Sequence, residues 1–478
     1  MRLSILAPLS ASPRPRLFHR ELRLRLRRFV SLAFYPWNNT HSHRLPTAMD
    51  STPLRGGAQK IGPRMRLLLV QTAHGLTPSS GGYKANVCLL RNLSALGHAT
   101  TQVCYAFPKE FDEYVRRAKA KGVNPDVQEL KPVVVTDGKN TQHQLHINEF
   151  TDEWGVRNTT IARHDSRIKG LTDVYAKAIT DFKPTHVLFN DALTMKVTAG
   201  HALRGSFKRV CIVHSAEQLP FGPYCAGVEG HCLSAKVENE MLRKLDRVWS
   251  VSKAIQRYAW EHGRLKTQFL AHTPWTFLDV DTGRMPVIRH NVDKEEIGMV
   301  NPSPIKGLDI LLGLAAKFPH MKFVTWTSWG SKPRHIKRMK AYPNIRIEPT
   351  TPNTNEIWDR IKILLAPSIW HEAWGLIVTE AQLRGIPVIA SNSGGLPEAK
   401  VNVPPIIPIN PVTGHHRDSN EDYIIPEQDL GPWEEALEKL MTDREEYLTL
   451  AALSAVKTAG WLKGVGLRTH ESWFQSMM

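Results

Sequence analysis

HEAWGLIVTEAQLRGIPVIASNSGGLPEAK (371–400) is the stretch on which the reading of the fold turns. Just before it, the apolar run ILLAPSIW (363–370) reads as a buried strand. GLIVTEAQLR (375–384) is a helix ended by Gly385, and IPVIAS (386–391) is a second buried strand, followed by a turn on Ser393-Gly394-Gly395. Strand, helix and strand at this spacing make a parallel crossover unit, and such units bind ligands outside the carboxyl ends of their strands. Glu372 therefore sits in the loop above one strand, and Glu380 in the early turns of the helix that follows. The amides of Trp374, Gly375 and Leu376 open that helix, where unpaired N–H groups and the helix dipole favour a phosphate. Two carboxylates beside a phosphate cradle suit a ligand carrying both phosphate and sugar, because a carboxylate accepts hydrogen bonds from paired hydroxyls.

Two glutamates eight apart are weak evidence alone; the flanking parts make the pattern specific. In order these are the strand, Glu372 with Trp374-Gly375, Glu380, Gly385-Ile386-Pro387-Val388 and Gly394-Gly395-Leu396-Pro397-Glu398. The segment resembles the E-x7-E signature of the retaining glycosyltransferases with the GT-B fold, glycosyltransferase family 4. That resemblance implies an α/β protein of two doubly wound, Rossmann-like domains facing a cleft, the first on the acceptor side and the second holding a nucleotide-diphosphate sugar. It also implies a hexosyltransferase that retains anomeric configuration, uses no metal or cofactor, and takes a UDP- or GDP-linked donor. Under it, Glu380 holds the ribose hydroxyls, Glu372 holds the sugar ring at the catalytic centre, and the amides of Trp374, Gly375 and Leu376 meet the diphosphate. The leaving phosphate takes the acceptor proton in this family, so the two glutamates need not be the acid/base pair of a glycosidase.

Outward from this core, EEIGMVNPSPIKGLDILLGLAAKFP (295–319) reads as strand, tight turn and helix. Lys306 falls where the family carries its phosphate-binding lysine and acts as a point charge. Asn301 stands where most members carry an arginine; it donates a hydrogen bond but brings no charge, so the phosphate grip is weaker or differently arranged. Residues 272–292 lack periodicity and read as a linker. Asp279-Val280-Asp281 within it matches the D-x-D metal motif of the other glycosyltransferase fold, GT-A, which has no function in a linker. KRVCIVHS (208–215) is a strand ending at His214, and in family members a histidine there faces the donor sugar, which groups it with Glu372 as catalytic. Asp191 ends THVLFND (185–191) in the same way and is a further candidate. MRLLLVQT (65–72) is the first folded strand, and Gly81-Gly82 opens the helix after it, where the family's paired glycines lie across the cleft from the donor. Residues 108–170 are poorly patterned, with candidate strands at 132–136 and 144–150, and are an expected seat of acceptor specificity.

The resulting division is a basic, disordered extension over 1–64, an acceptor-side domain over 65–271, the linker 272–292, a donor domain over 293–455, and a final helix over 456–478 that crosses back to the first domain. A chain of 478 residues exceeds what one core organises, in keeping with two domains. Five cysteines, odd in number and without a C-x-x-C pair, argue against a disulfide framework and for a reducing compartment. Cys225, His231 and Cys232 cluster without a fourth ligand at zinc-site spacing. The net charge of +17 invites a nucleic-acid reading, but residues 1–48 hold nine arginines against one acid, and no nucleic-acid-binding motif appears elsewhere. The Arg-rich start also has the composition of a mitochondrial transit segment, although LRLRLR (22–27) scatters leucine and arginine around a helix. No run is long and apolar enough to span a bilayer, so a cytoplasmic, soluble protein is expected, with peripheral membrane contact left open. The expected partners are a nucleotide-sugar donor and an acceptor that is a lipid, a saccharide or a small specialised metabolite. A nucleotide-sugar epimerase of the same fold and a non-catalytic nucleotide-sugar-binding protein are the alternatives.

Overall fold

The computed structural model describes residues 63–74, 80–120, 122–136, 141–162, 170–225, 235–279, 283–351, 353–412, 417–419 and 422–478. The extension up to residue 62, His231, Cys232, Val280 and Asp281 lie outside the described residues.

The first sheet holds nine strands: β1 (Arg66–His74), β2 (Ala99–Ala106), β3 (Asp126–Thr136), β4 (Gln142–Thr151), β5 (Arg157–Ala162), β6 (His186–Phe189), β7 (Lys208–Val213), β8 (Arg247–Ser250) and β9 (Gln268–Phe269). They lie in the order β3-β4-β5-β2-β1-β6-β7-β8-β9. β1 pairs in parallel with both β2 and β6, so the winding reverses at β1. Leu67, Leu68, Leu69 and Val70 are wholly buried, as a strand covered on both faces requires. β4 pairs antiparallel with β3 and β5 and forms a mixed margin. This margin, with the helix Pro108–Ala120, is the region the sequence patterned poorly. β5 (RNTTIA) has little apolar content, and its ladder to β2 rather than a hydrophobic run defines it.

The second sheet holds β10 (Glu296–Val300), β11 (Lys322–Trp326), β12 (Ile345–Glu348), β13 (Ile361–Ala366), β14 (Val388–Ser391) and β15 (Ile406–Ile407). Their order is β12-β11-β10-β13-β14-β15, with every pairing parallel. The reversal falls between β10 and β13, where Ile297 faces Ile363 and Gly298 faces Leu364. The crevice at such a reversal is where open α/β sheets bind ligands.

The chain returns to the first domain at its end. Phe474 and Met477, at and beyond the helix Thr469–Gln475, are buried with Leu67, Leu69 and Trp249. His98 Nε2 meets Glu471 Oε1 at 2.9 Å, and His186 Nε2 donates to the Phe474 carbonyl at 3.0 Å. Among the described residues no helix is long and apolar enough to cross a membrane.

Candidate functional site

The loops after β10 and β13 are stitched together at the reversal. The amides of Ile369 and Trp370 both donate to the Ile305 carbonyl, at 3.0 and 3.2 Å. That stitching carries Lys306 to Glu372, and the Lys306 ammonium donates to the Glu372 carboxylate. Burial works to raise the Glu372 carboxyl, but Lys306, and with it the Ser368 hydroxyl, hold it below the ordinary carboxylate range. The Gly394-Gly395 turn presses on the same loop: the Gly395 amide donates to the Glu372 carbonyl at 2.7 Å. Gly394 sits at φ +52°, and a Cβ there would lie 2.2 Å from that carbonyl, so only glycine admits the approach.

Glu372, the Trp374-Gly375-Leu376 segment and Glu380 thus form one continuous rim. Gly375 stands at the start of the helix Leu376–Leu383, whose first amides have no intrahelical acceptor. The Trp374 side chain is buried, donates from Nε1 to Thr379 Oγ1 at 3.0 Å and stacks on Trp461 at 5.2 Å, so it offers the rim its backbone alone. Glu380 is 11 % exposed along its side chain and directs its carboxylate across the cleft to Lys84 Nζ, at 2.7 Å.

Asn301 has φ +59°, a left-handed conformation that asparagine tolerates better than most residues. Its Oδ1 accepts the Gly330 amide at 3.0 Å, which fastens the loop after β11 to the loop after β10. Asparagine here is a turn residue that also ties two loops.

The first domain supplies the opposite wall. Gly81 approaches Leu376 so closely that a Cβ on it would lie 2.9 Å from Leu376 Cδ1, and a Cβ on Gly82 would lie 2.9 Å from His214 Cγ. His214 Nε2 sits 2.6 Å from Asn86 Oδ1, and Asn86 Nδ2 donates to Gln71 Oε1 at 3.0 Å. This chain makes His214 the Nε2–H tautomer and leaves Nδ1 as an acceptor with no hydrogen-bond partner among the described residues. Its ring stacks on His272 at 5.8 Å, and His272 packs edge-on to Trp374 at 5.9 Å. Burial pushes His214 down to about 3, and burial followed by the His214 and His470 rings pushes His272 down as well. Both rings are neutral at physiological pH. Asp191 has both carboxylate oxygens engaged by Thr194, by its amide at 2.7 Å and its hydroxyl at 2.8 Å, and caps the helix Ala192–Gly200.

Three further contacts join the walls. Trp370 Nε1 donates to the Glu217 carboxylate. Tyr224 donates from its hydroxyl to the Val412 carbonyl at 2.7 Å. Glu398 accepts the amides of Lys253 and Ala254 at 2.9 and 2.8 Å, capping a first-domain helix from the second domain. Lys84, Asn86, Glu217 and His272 escaped the sequence reading. For Lys84 and Asn86 a signal existed, since both stand within two turns of the helix that Gly81-Gly82 opens. A recess of about 350 Å³ lined by Asp293, Lys362 and Arg444 lies at the amino ends of β10 and β13, away from the carboxyl ends where this chemistry gathers.

Residues 297–443 match the sequence model of the family described as "Glycosyl transferases group 1". No curated protein matches the chain in sequence. Among solved structures the chain is similar to a sucrose-phosphate synthase of Thermosynechococcus elongatus, at 15 % identity and TM-score 0.59 over 86 % of this chain and 98 % of that one. It is similar to a glycosyltransferase of Rickettsia africae at 13 % identity and TM-score 0.56, over 86 % of this chain and 98 % of that one. Anabaena HepE, solved in complex with UDP and glucose, matches at 13 % identity and TM-score 0.57 over 87 % of this chain and its own full length (100 %). These likenesses give the chain the GT-B fold.

Proposed function

We propose that the protein is a glycosyltransferase that moves a hexose from a nucleotide-diphosphate sugar to an acceptor hydroxyl with retention of anomeric configuration. One observation carries the reading: Lys306 and Glu372 meet at the β10–β13 reversal, beside the opening amides of the helix that bears Glu380. Lys306 and the amides of Gly375 and Leu376 take the diphosphate, Glu380 the ribose hydroxyls, and Glu372 the hydroxyls of the sugar ring. The anomeric C–O bond to the diphosphate breaks, the acceptor oxygen bonds to the same carbon, and the acceptor proton passes to the leaving phosphate oxygen. Fixed donors aimed at charge that grows on the leaving group are the main source of rate enhancement in such a site, so the reading calls on no metal. Neutral His214, which stays uncharged at working pH, offers Nδ1 as an acceptor and not as an acid. The family match over the second domain supports a glycosyltransferase, and a fold neighbour solved with UDP and glucose supports a UDP-linked donor.

Thermal unfolding in the presence of UDP- and GDP-sugars tests the donor, because a ligand bound only by the folded state raises Tm. Protection by a UDP-sugar, with transfer to a hydroxyl acceptor lost in Glu372→Gln, is the expected result. Wild-type transfer by Glu372→Gln would remove the basis of the assignment.

A further inference from the structure

Lys84 and Glu380 are separated by 296 residues, yet their charged atoms meet at 2.7 Å across the cleft. The Lys84 side chain is 31 % exposed and that of Glu380 11 %, so the pair lies at the mouth of the crevice and not on an open surface. Lys84 is in the first turn of the helix Gly81–Ala95, and Glu380 in the second turn of the helix Leu376–Leu383. Because Gly81 abuts Leu376, the first residues of the two helices face each other. Each helix start bears a partial positive charge, so both ends favour an anion. The second domain has an uncharged Asn301 at the position discussed above, with its Oδ1 already taken by Gly330.

We propose that Lys84 is a donor-positioning residue: it holds Glu380 in the donor-free protein and moves onto the diphosphate when the ribose takes Glu380. The first domain then supplies the second cation of a site whose first cation, Lys306, belongs to the second domain. This rests on the donor reading above. The exchange also links occupancy of the donor site to the contact between domains, since the same ammonium is the bridge in one state and the phosphate ligand in the other.

The test compares uridine, UDP, guanosine and GDP binding by calorimetry to the wild type, Lys84→Met and Lys84→Arg. The Lys84→Met/Glu380→Gln variant removes both charges in case the single change leaves Glu380 unpaired and the fold weakened. The expected result is a loss of about tenfold or more in affinity for the bound nucleoside diphosphate in Lys84→Met, with its nucleoside held as tightly as before or more tightly. Lys84→Arg should restore diphosphate affinity to within about threefold. Equal tightening of nucleoside and nucleoside diphosphate would overturn the proposal, because Lys84 would then only compete for Glu380. Unchanged diphosphate affinity in both Lys84→Met and the double variant would overturn it too, leaving the donor reading intact. A wild type that binds neither UDP nor GDP overturns the donor reading itself.

Discussion

Lys306 meets Glu372 inside one domain, whereas Lys84 meets Glu380 between two. The first pair is 66 residues apart in sequence, and hydrogen bonds between neighbouring loops hold its partners together. The second spans 296 residues and depends on how two separate sheets sit against each other. The loops that carry the intradomain pair are fixed relative to each other by the hydrogen bonds to Ile305. A pair between domains lasts only while the cleft keeps its shape, so it is the one able to respond to a ligand. The same two residue types therefore serve as framework in one place and as latch in the other.

Breaking the framework pair should have the largest effect. Lys306→Met or Glu372→Gln is expected to lower the transfer rate by roughly a hundredfold to a thousandfold, the cost of losing one preorganised charge contact. Rates under donor saturation, with Tm recorded for each variant, check this; a wild-type rate in either variant breaks the comparison at its stronger end.

A third lysine sharpens the contrast. Lys400 is wholly buried, donates to the Val388 carbonyl and has no carboxylate partner among the described residues; burial pushes it down to about 7. Between that value and the ordinary lysine range the unfolded chain binds the extra proton, so stability must rise with pH across that window, by up to about 1.4 kcal/mol per unit. Lys400→Met should flatten that slope in urea melts from pH 7 to 10. An unchanged slope would mean that Lys400 is charged in the fold.

The histidines work in the acid range. His214 is pushed down to about 3, and His186 and His470 to about 4, each first by burial. The unfolded chain protonates them below about pH 6.5 while the fold resists, so stability falls as the pH drops from there toward 4. His214→Gln should lessen that loss and leave no change in the pH dependence of transfer between pH 6 and 8. A shifted activity limb in that range would show His214 acting as an acid.

The smallest effect is expected at Glu398. Glu398→Gln weakens the cap on Lys253 and Ala254, at about 1 kcal/mol. Hydrogen exchange should quicken in the first turn of the helix Lys253–Gly263 before it does in β13. Uniform exchange would mean that the cap contributes nothing local.

Much of the second domain was readable because its strands are buried on both faces and its helices and turns carry local signals. ILLA (363–366), Gly385 and Gly394-Gly395 state their conformations within a few residues, while PSIW (367–370), read as part of the same strand, is loop. The margin β3-β4-β5 was not readable, since β5 is polar and is fixed by pairing to β2, more than fifty residues earlier in the chain. Asn301 shows the same limit at one position. Its type suggested a missing charge, but its φ and its bond to Gly330 make it a turn residue.

The sequence alone determined the strand–helix–strand crossover, the placement of Glu372 and Glu380 on it, and Lys306 as the companion charge. The crossover and the places of its two glutamates follow from side-chain periodicity and backbone chemistry, which act over one or two turns of chain, whereas Lys306 was singled out by the resemblance to the glycosyltransferase family. Only the tertiary structure decided that Lys84 reaches Glu380, that Glu398 caps a helix of the other domain and that burial lowers the proton affinity of His214 and Lys400. Coulomb attraction and desolvation depend on distance in space and on what excludes water, and neither is written in the order of residues.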